Sequence, residues 1–325
     1  MDSIMMEAKI GLLIENETPV RIGNIPVYRD LASGYLGFPP PSNSELEAYY
    51  NSKYSEDPSK GYNIDSHYEN QDLLNERLRL LLSLSSRYLG RRLETSVELG
   101  CAFGAMVHQL SNSGVNSAGF DINSEAINSG KRKNPLSNLQ TATNRSSLNS
   151  LTGQEDLVYT FHTLEHDPEL FHFFNDLRSF LGDETMFFFT VPNAMFFPSL
   201  LKGFYAHYWA GYPDHLHLIS PGFIPYLCSL SGTLPLWWNS TNALNLDPNG
   251  FRHMCQLLNY SGPYQSLDAL TTVSGQGLEL SVLLIKEGSS IARRFNKEIS
   301  ECLNQLNFFR SQEIAIRNKL EKPLL

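Results

Sequence analysis

The sequence is poor in cysteine and contains no long apolar run. Four cysteines are scattered through 325 residues without a CxxC pair, which argues against a zinc ribbon and against a disulfide framework. Sparse cysteine fits a reducing compartment, so we expect a cytoplasmic protein. The strongest apolar stretch, residues 186–191, is far too short to span a bilayer, and no membrane association is expected. The first residues also lack the basic and apolar segments of a secretory signal.

Runs of lysine and arginine are missing as well. The formal net charge is −9, so the basic patch that nucleic-acid binding needs is not apparent, and no nucleic-acid partner is expected. Hydrophobic residues make up 42% of the chain and charged residues 18%, which is ordinary for a soluble globular protein with a sizeable core.

Strand and helix patterns alternate from about residue 95 onward. The predicted strands are 96–100, 116–122, 139–142, 156–161, 185–193, 233–238 and 278–287, and the predicted helices are 105–114, 124–133, 168–181 and 221–230. This alternation predicts an α/β fold with βαβ units and a doubly wound, mostly parallel sheet. Ligands of such sheets bind beyond the carboxyl ends of the strands, near the point where the strand order reverses.

The segment before this core carries two helix signals. Residues 1–66 are interpreted as an irregular extension, in which Ser42 or Ser44 followed by Glu45 resembles a helix start. From 67 to 89, leucines recur at three- and four-residue spacing, which predicts an amphipathic helix.

The core domain is assigned to residues 67–288, with an insertion at about 239–275 that carries weak signals. Residues 289–325 are assigned to a long polar C-terminal helix with an intermittent apolar stripe (Ile291, Phe295, Ile299, Cys302, Leu306, Phe309). We expect this stripe to pack on the body of the protein, and a homodimer seam is the alternative.

The turn after the first core strand is rich in glycine. In the stretch VELGCAFGAMVHQL, Gly100 and Gly104 let the backbone pass close to a ligand. A dinucleotide fingerprint requires further glycines where this sequence has Ala102 and Ala105, which disfavours a nicotinamide oxidoreductase. Glu98, just before the turn, would repel a phosphate but suits a cationic ligand that carries an amine and a sulfonium.

Five segments together resemble one enzyme family. They are ELGCAFG, GFDIN, DLVYTFHTLEHDPEL, FFFTVPNA and DHLHLISPGFIPYLCSLSG. In this order, over about residues 95–235, they resemble the class I S-adenosylmethionine-dependent methyltransferases, in particular the branch with ubiquinone-type and sugar methyltransferases. The resemblance implies a Rossmann-like sheet of seven strands and S-adenosylmethionine as cofactor. It also implies that the extension is a degenerate zinc module, since residues 1–40 contain no cysteine.

The resemblance further implies a set of cofactor-binding residues. Those expected to line the methionine end are Glu98, Gly100, Cys101, Ala102 and Gly104. Those expected at the nucleoside and the sulfonium are Asp121 on the ribose hydroxyls, Ile122 against adenine, Asn144 near the adenine amino group, and Phe161 with His162 beside the sulfonium.

The acceptor side is less defined. His166 follows the fourth strand and is either a general base or a residue that orders the next helix. An aromatic and histidine-rich segment supplies the predicted acceptor wall or, alternatively, a packing loop: His207, Tyr208, Trp209, Tyr212 and His215. The His215-x-His217 pair next to Asp214 suggests a metal, but without a further ligand at helical spacing no metal is expected.

The sequence therefore predicts transfer of a methyl group to an oxygen, or less readily to a nitrogen or carbon. A small polar metabolite, such as a sugar or a natural-product intermediate, is the first acceptor to test. A peptide or protein acceptor and a catalytically inactive binding protein remain alternatives.

Overall fold

The computed structural model describes residues 20–22, 25–30, 33, 35–38, 41–42, 45, 63–195, 215–241 and 279–320. Near its start, three short strands form an antiparallel sheet: β1 (Val20–Ile22), β2 (Ile25–Asp30) and β3 (Tyr35–Gly37). The sequence suggested an irregular extension, but part of it forms these three strands. Strands as short as these give almost no periodic signal, and pairing with their neighbours forms them.

Seven strands of the described chain form the main sheet. They are β4 (Thr95–Leu99), β5 (Asn116–Asp121), β6 (Asn138–Thr141), β7 (Leu157–Phe161), β8 (Met186–Pro192), β9 (Thr233–Thr241) and β10 (Glu279–Lys286). Their order is β6-β5-β4-β7-β8-β10-β9. The pairs from β6 to β8 are parallel, whereas β10 runs antiparallel to both β8 and β9. The predicted doubly wound, mostly parallel sheet is confirmed.

The strand order reverses between β4 and β7. From β4 the chain proceeds to β5 and β6 on one side, and it then returns to place β7 on the other side of β4. The carboxyl ends of these two central strands, at Leu99 and Phe161, therefore border the crevice in which ligands of such sheets bind.

The sheet is buried on both faces because helices cover each side. In β8, Phe187 and Phe189 pack with helical residues on one face, while Met186 and Phe188 belong to the core on the other face. This alternation follows from the period of two of a strand, and it explains why β7 and β8 read as continuous apolar runs.

Nine helices surround the sheet in the described residues. They are α1 (Ile64–Glu69), α2 (Gln71–Leu89), α3 (Ala105–Asn112), α4 (Ser124–Lys133), α5 (Asn144–Leu148), α6 (Leu170–Phe180), α7 (Ile224–Ser231), α8 (Ser290–Arg294) and α9 (Asn296–Leu320). Short 3₁₀ turns occupy Leu164–His166 and Pro221–Phe223.

The two longest predicted helices are each divided. The leucine-rich helix breaks at Asn70, whose side chain accepts the Leu73 N–H and so begins α2. The C-terminal helix breaks at Phe295, whose ring packs 5.1 Å from that of Tyr88. Neither break interrupts the apolar period, so the sequence pattern could not indicate it.

The C-terminal helices pack on the body of the protein through the predicted stripe. Ile291, Ile299 and Leu306 are buried. Further along α9, the buried Glu313 carboxylate accepts hydrogen bonds from Ser220 Oγ at 2.7 Å and from the Gly222 N–H at 2.7 Å. The helix is thereby fastened to the 3₁₀ turn at the start of α7.

The extension contributes one feature that the sequence anticipated. Ser42 Oγ and the Ser42 N–H both donate to the Glu45 carboxylate, and the Glu45 N–H donates back to Ser42 Oγ at 3.4 Å. This is the reciprocal arrangement of a capping box. The predicted insertion at about 239–275 begins within β9, which extends to Thr241, and the rest of it lies outside the described residues. Among the residues described, no helix combines the length and apolarity needed to cross a membrane.

Candidate active site

The turn after β4 has a left-handed backbone at three positions. Gly100, Ala102 and Gly104 have φ angles of 70°, 48° and 74°. At Gly100 a Cβ atom would also collide with the side chain of Thr163, which follows β7. The requirement for glycine there is therefore both conformational and steric. Ala102 adopts the same backbone region without being glycine, at a cost of about 1–2 kcal/mol.

Asp121 holds this turn in place. Its Oδ2 atom accepts the Ala102 N–H at 2.7 Å, and its Oδ1 atom accepts the Asn123 N–H at 2.8 Å. Burial raises the pKa of the Asp121 carboxyl, and these two N–H donors partly oppose that rise. Since a carboxylate oxygen has more than one acceptor position, both oxygens keep capacity for a ligand's hydroxyl groups.

Glu98 is a buried acid one residue before the end of β4. Tyr159 donates to its Oε2 atom at 3.3 Å. Burial raises the pKa of the Glu98 carboxyl to about 8, although the Arg77 guanidinium and Tyr159 act in the opposite direction. At neutral pH the ligand-free carboxyl is therefore mostly protonated, and a cation bound beside it would favour its ionisation.

Arg77 of α2 contacts residues of the candidate site and was not predicted from the sequence. Its guanidinium carbon lies 4.3 Å from the centre of the Phe161 ring. It also interacts electrostatically with Glu98 and Glu279. A signal was present, because Arg77 lies three residues after the buried Leu74 and four before the buried Leu81, which is a core-facing position of the helix.

Glu279, the first residue of β10, was missed as well. Its Oε1 atom lies 2.9 Å from His162 Nε2, although 117 positions separate the two residues. His162 directly follows β7 and has a φ of 51°, a conformation that side chains rarely adopt. Burial opposes charging of His162, but Glu279 and Glu165 outweigh it and raise the pKa of the imidazole to about 9.

His166 lies at the end of the 3₁₀ turn after β7. Its Nε2 atom is 3.7 Å from Glu165 Oε1, and its ring centre is 4.8 Å from that of His215. Glu165, His166 and His215 bring three potential metal-ligand atoms within 4.8 Å of one another. The structure thus unites His166 with one residue of the predicted acceptor wall.

His217 is turned away from this group. Its Nε2 atom lies 2.7 Å from the Asp167 carbonyl oxygen, which can only accept, so Nε2 donates and Nδ1 accepts the Tyr35 hydroxyl at 3.0 Å. Burial lowers the pKa of His217 to about 4, which keeps the ring neutral. The His215-x-His217 pair therefore does not converge on one point.

The remaining predicted residues have different surroundings. Ile122 is 60% exposed directly after Asp121, and Cys101 is buried with a raised pKa. Asn144 begins α5, and its Nδ2 atom donates to Asp167 at 2.9 Å, which leaves its Oδ1 atom available to accept from an amino group. His207, Tyr208, Trp209 and Tyr212, together with Asp214, lie outside the described residues.

The fold and the two acids define a class of protein. A sheet with this strand order, an acid before the first glycine turn and an acid at the end of the next strand characterise the class I S-adenosylmethionine-dependent methyltransferases. The family model described as "Methyltransferase domain" matches residues 67–229, just over half of the 325 residues. The chain belongs to this methyltransferase-domain family.

Solved methyltransferase structures are similar to this chain at low sequence identity. A SAM-dependent methyltransferase from Archaeoglobus fulgidus is 18% identical over 67% of this chain and 100% of that chain, with a TM-score of 0.43. The plantazolicin methyltransferase BamL is 14% identical over 76% of this chain and 91% of that chain, with a TM-score of 0.47. The plantazolicin methyltransferase BpumL, in complex with SAH, is 16% identical over 71% of this chain and 91% of that chain, with a TM-score of 0.45. A search of curated proteins found no match.

Proposed function

We propose that this protein transfers a methyl group from S-adenosylmethionine to an oxygen, or less readily a nitrogen or carbon, of a small polar metabolite. The observation that carries the proposal is the pair of buried acids at the strand-order reversal. Glu98 stands before the left-handed turn and Asp121 holds the turn from the next strand.

The residues at the turn fit this cofactor. When bound, S-adenosylmethionine supplies an electrophilic methyl group on a positively charged sulfur. Glu98, a buried carboxyl with a raised pKa, gains a counter-charge from the cofactor's ammonium group. Asp121 keeps acceptor capacity for the ribose hydroxyls, and the exposed Ile122 offers an apolar surface to adenine. The cofactor assignments of Gly100, Cys101, Ala102, Gly104, Asn144, Phe161 and His162 stand as part of the same proposal.

His166 is the proposed proton acceptor on the acceptor side. An acceptor hydroxyl must lose its proton as its oxygen gains the methyl group, and a neutral imidazole can accept that proton. His166 follows the end of β7, one of the two strands that border the crevice. The predicted wall residues, including His215, are proposed to contact the acceptor.

Calorimetry tests the cofactor half of the proposal. We expect S-adenosylmethionine and its demethylated product to bind, and the variants Glu98→Gln and Asp121→Ala to bind each of them at least about tenfold more weakly. Glu94→Gln is a matched control, because Glu94 is exposed just before the same strand. No binding at millimolar cofactor would contradict the proposal, and tight binding of NADH would favour an oxidoreductase instead.

Activity tests the acceptor half. Methyl transfer from labelled cofactor to a panel of sugars, phenolic metabolites and peptides would identify the acceptor class. We expect His166→Ala to lower kcat about a hundredfold while the cofactor Kd stays unchanged. An unchanged kcat would remove His166 from the chemistry. Binding without transfer to any acceptor would favour an inactive binding protein.

The remaining structural assignments are proposals of the same kind. They are the core domain at 67–288, the degenerate zinc module and a homodimer through the C-terminal helix. Sedimentation of the full chain tests the dimer, for which the exposed Phe308 of α9 is a candidate contact. Substituting Phe308 by Ser should shift a dimer to monomer and leave a monomer unchanged.

A further inference from the structure

Asn144 brings a side-chain amide to the nucleoside end of the candidate site. It begins α5, three residues after Thr141, which lies opposite Asp121 in the strand register. The Ala142 N–H continues this pairing and donates to the Asp121 carbonyl oxygen at 2.9 Å. Asn144 therefore lies beside the carboxyl end of β5, where Asp121 and the exposed Ile122 are the proposed contacts of the ribose and the adenine.

The orientation of this amide decides which base it can recognise. Its Oδ1 atom only accepts hydrogen bonds, whereas its Nδ2 atom only donates them. Adenine carries a 6-amino group, which donates, and its deaminated form carries a 6-oxo group, which accepts. The two ends of one amide therefore select different bases, and an amide that could turn about its last bond would accommodate either of them.

The side chain of Asp167 holds the amide in one orientation. Its Oδ2 atom accepts a hydrogen bond from the Nδ2 atom of Asn144 at 2.9 Å. A carboxylate has no proton to donate, so a turned amide would place two acceptors against each other. The other oxygen of Asp167 accepts the Glu169 N–H at 2.8 Å, which fixes the carboxylate itself. In the described part of the chain, the Oδ1 atom of Asn144 has no hydrogen-bond partner and remains for a ligand.

The backbone of Asp167 is held independently of Asn144. Its carbonyl oxygen accepts from His217 Nε2 at 2.7 Å and from the Leu170 N–H at 3.1 Å. Its N–H donates to the Leu164 carbonyl oxygen at 3.3 Å. The orientation of the amide is thus set before a ligand binds, and a pre-organised acceptor adds no ordering cost on binding.

Arg145, the residue after Asn144, could compete for the Asp167 carboxylate, but its guanidinium is bonded elsewhere. Its Nε atom donates to Asp176 at 2.8 Å, and its Nη1 atom donates to Glu169 at 3.1 Å. Asp176 therefore links α6 to α5 through Arg145, and among the described residues no hydrogen bond joins it to Asn144. It offers a matched control for changes at Asp167.

We propose that Asp167 is a positioning residue for the cofactor, which turns the Asn144 amide so that Oδ1 accepts from the 6-amino group of adenine and opposes an oxygen at that place. The inference rests on the proposed function, in which this crevice binds S-adenosylmethionine. A site built to pair with an N–H group rejects the analogue that lacks it, because the acceptor of the site then stays unpaired.

Calorimetry with two ligands that differ only in the base tests this selection. The probes are S-adenosylhomocysteine and S-inosylhomocysteine, and the measured quantity is the ratio of their Kd values. We expect the wild type to prefer the adenosine derivative at least about tenfold. Asp167→Asn should reduce this preference at least about fivefold, because the substitution exchanges an acceptor for a donor in front of Asn144.

The direction of the change in Asp167→Asn follows from the neighbouring bonds. The Glu169 N–H holds the carbonyl oxygen of the introduced amide, so its NH₂ group faces Asn144. Asn144 then turns its own Oδ1 atom inward and presents Nδ2 to the ligand. The inosine derivative should therefore bind more tightly to this variant than to the wild type, which a mere loss of structure would not produce.

Two further variants separate orientation from stability. Asp176→Asn, the same change at the neighbouring bond from α6 to α5, should leave the ratio unaltered. Exchanging the partners, Asn144→Asp together with Asp167→Asn, again places one amide against one carboxylate, whose second oxygen faces the ligand as an acceptor. The preference for adenosine should return in this double variant, and its absence there would count against the proposal.

Asn144→Ala keeps the test available if Asp167→Asn does not fold, because it removes the acceptor and leaves the bond from Glu169 to Asp167 in place. It should also reduce the preference at least about fivefold. A ratio that remains at its wild-type value in Asp167→Asn or in Asn144→Ala would overturn the inference alone. If neither ligand bound the wild type, the proposed function would fail, and the inference would fail with it.

Discussion

Replacing Glu98 by Gln should make the ligand-free protein less sensitive to alkaline pH. Glu98 is buried at the end of β4, and its pKa is raised from 4.5 to about 8. The folded state therefore holds a proton that the unfolded state has already released. Stability from this group is complete below the unfolded pKa near 4.5 and is lost as the pH rises through about 8. Glutamine reproduces the protonated carboxyl and carries no such dependence.

The size of the effect follows from the shift. Raising the pKa of Glu98 from 4.5 to about 8 corresponds to a loss of about 5 kcal/mol of unfolding free energy as an upper bound, since one pKa unit is worth about 1.36 kcal/mol. Relaxation around a newly charged buried carboxylate reduces this, and we expect about 2–4 kcal/mol between pH 5 and pH 9. Arg77 limits the loss because its guanidinium attracts the ionised form.

Urea denaturation at unit pH steps from 5 to 9 measures the effect. The informative quantity is the difference in unfolding free energy between wild type and Glu98→Gln, because other titrating groups cancel in it. We expect that difference to grow in favour of the variant as the pH rises, with Glu94→Gln parallel to wild type. Adding the cofactor should reduce the wild-type loss, since its ammonium group then accompanies the charge. Parallel curves for Glu98→Gln and wild type would refute the reasoning.

Three further outcomes are expected. Ala102→Gly should change the unfolding free energy by less than about 1 kcal/mol, because relief of left-handed strain is offset by a lost buried methyl group and a more flexible unfolded chain. Its cofactor Kd in calorimetry should match wild type, and a tenfold change would be inconsistent with this. His217 should lose its share of stability as the pH falls from 6.5 toward 4, because burial lowers its pKa to about 4 and protonation breaks the bond from Tyr35. His217→Gln should lack that component in acid titrations followed by tryptophan fluorescence. Glu313→Gln should cost about 1–3 kcal/mol in urea, since Gly222 then loses a charged acceptor; a neutral effect would show that the α9 contact is dispensable.

The sheet was predictable because its signals are local. Strands β7 and β8 are apolar runs buried on both faces, and each is ended by polar residues or proline. The division of the leading helix at Asn70 was not predictable, because the leucine period continues through it. The N-terminal strands were missed since they exist through pairing: the Leu218 N–H donates to the Leu36 carbonyl oxygen from a distant part of the chain.

In the candidate site too, residues in local motifs were predictable, whereas residues that act through long-range contacts were not. Glu98, Asp121 and His166 could be proposed from the sequence because each lies at or just after the end of a strand, within a recognisable motif. Arg77 and Glu279 were missed because their roles come from long-range electrostatic contacts. A single sequence carries no mark of which distant acid will meet a given histidine.

The antiparallel pairing of the last two strands bears on how this enzyme could be redesigned. The chain leaves the main sheet at Thr241 and re-enters it at Glu279, and these two residues lie directly opposite each other in the strand register. The segment between them therefore starts and ends at neighbouring positions. A change in its length changes the entropy cost of closing the loop only slightly. Its return point is also the acid that pairs with His162. A segment exchanged between these two positions would return to the sheet at a residue that contacts the candidate site, so this is a suitable position at which to graft a new acceptor preference.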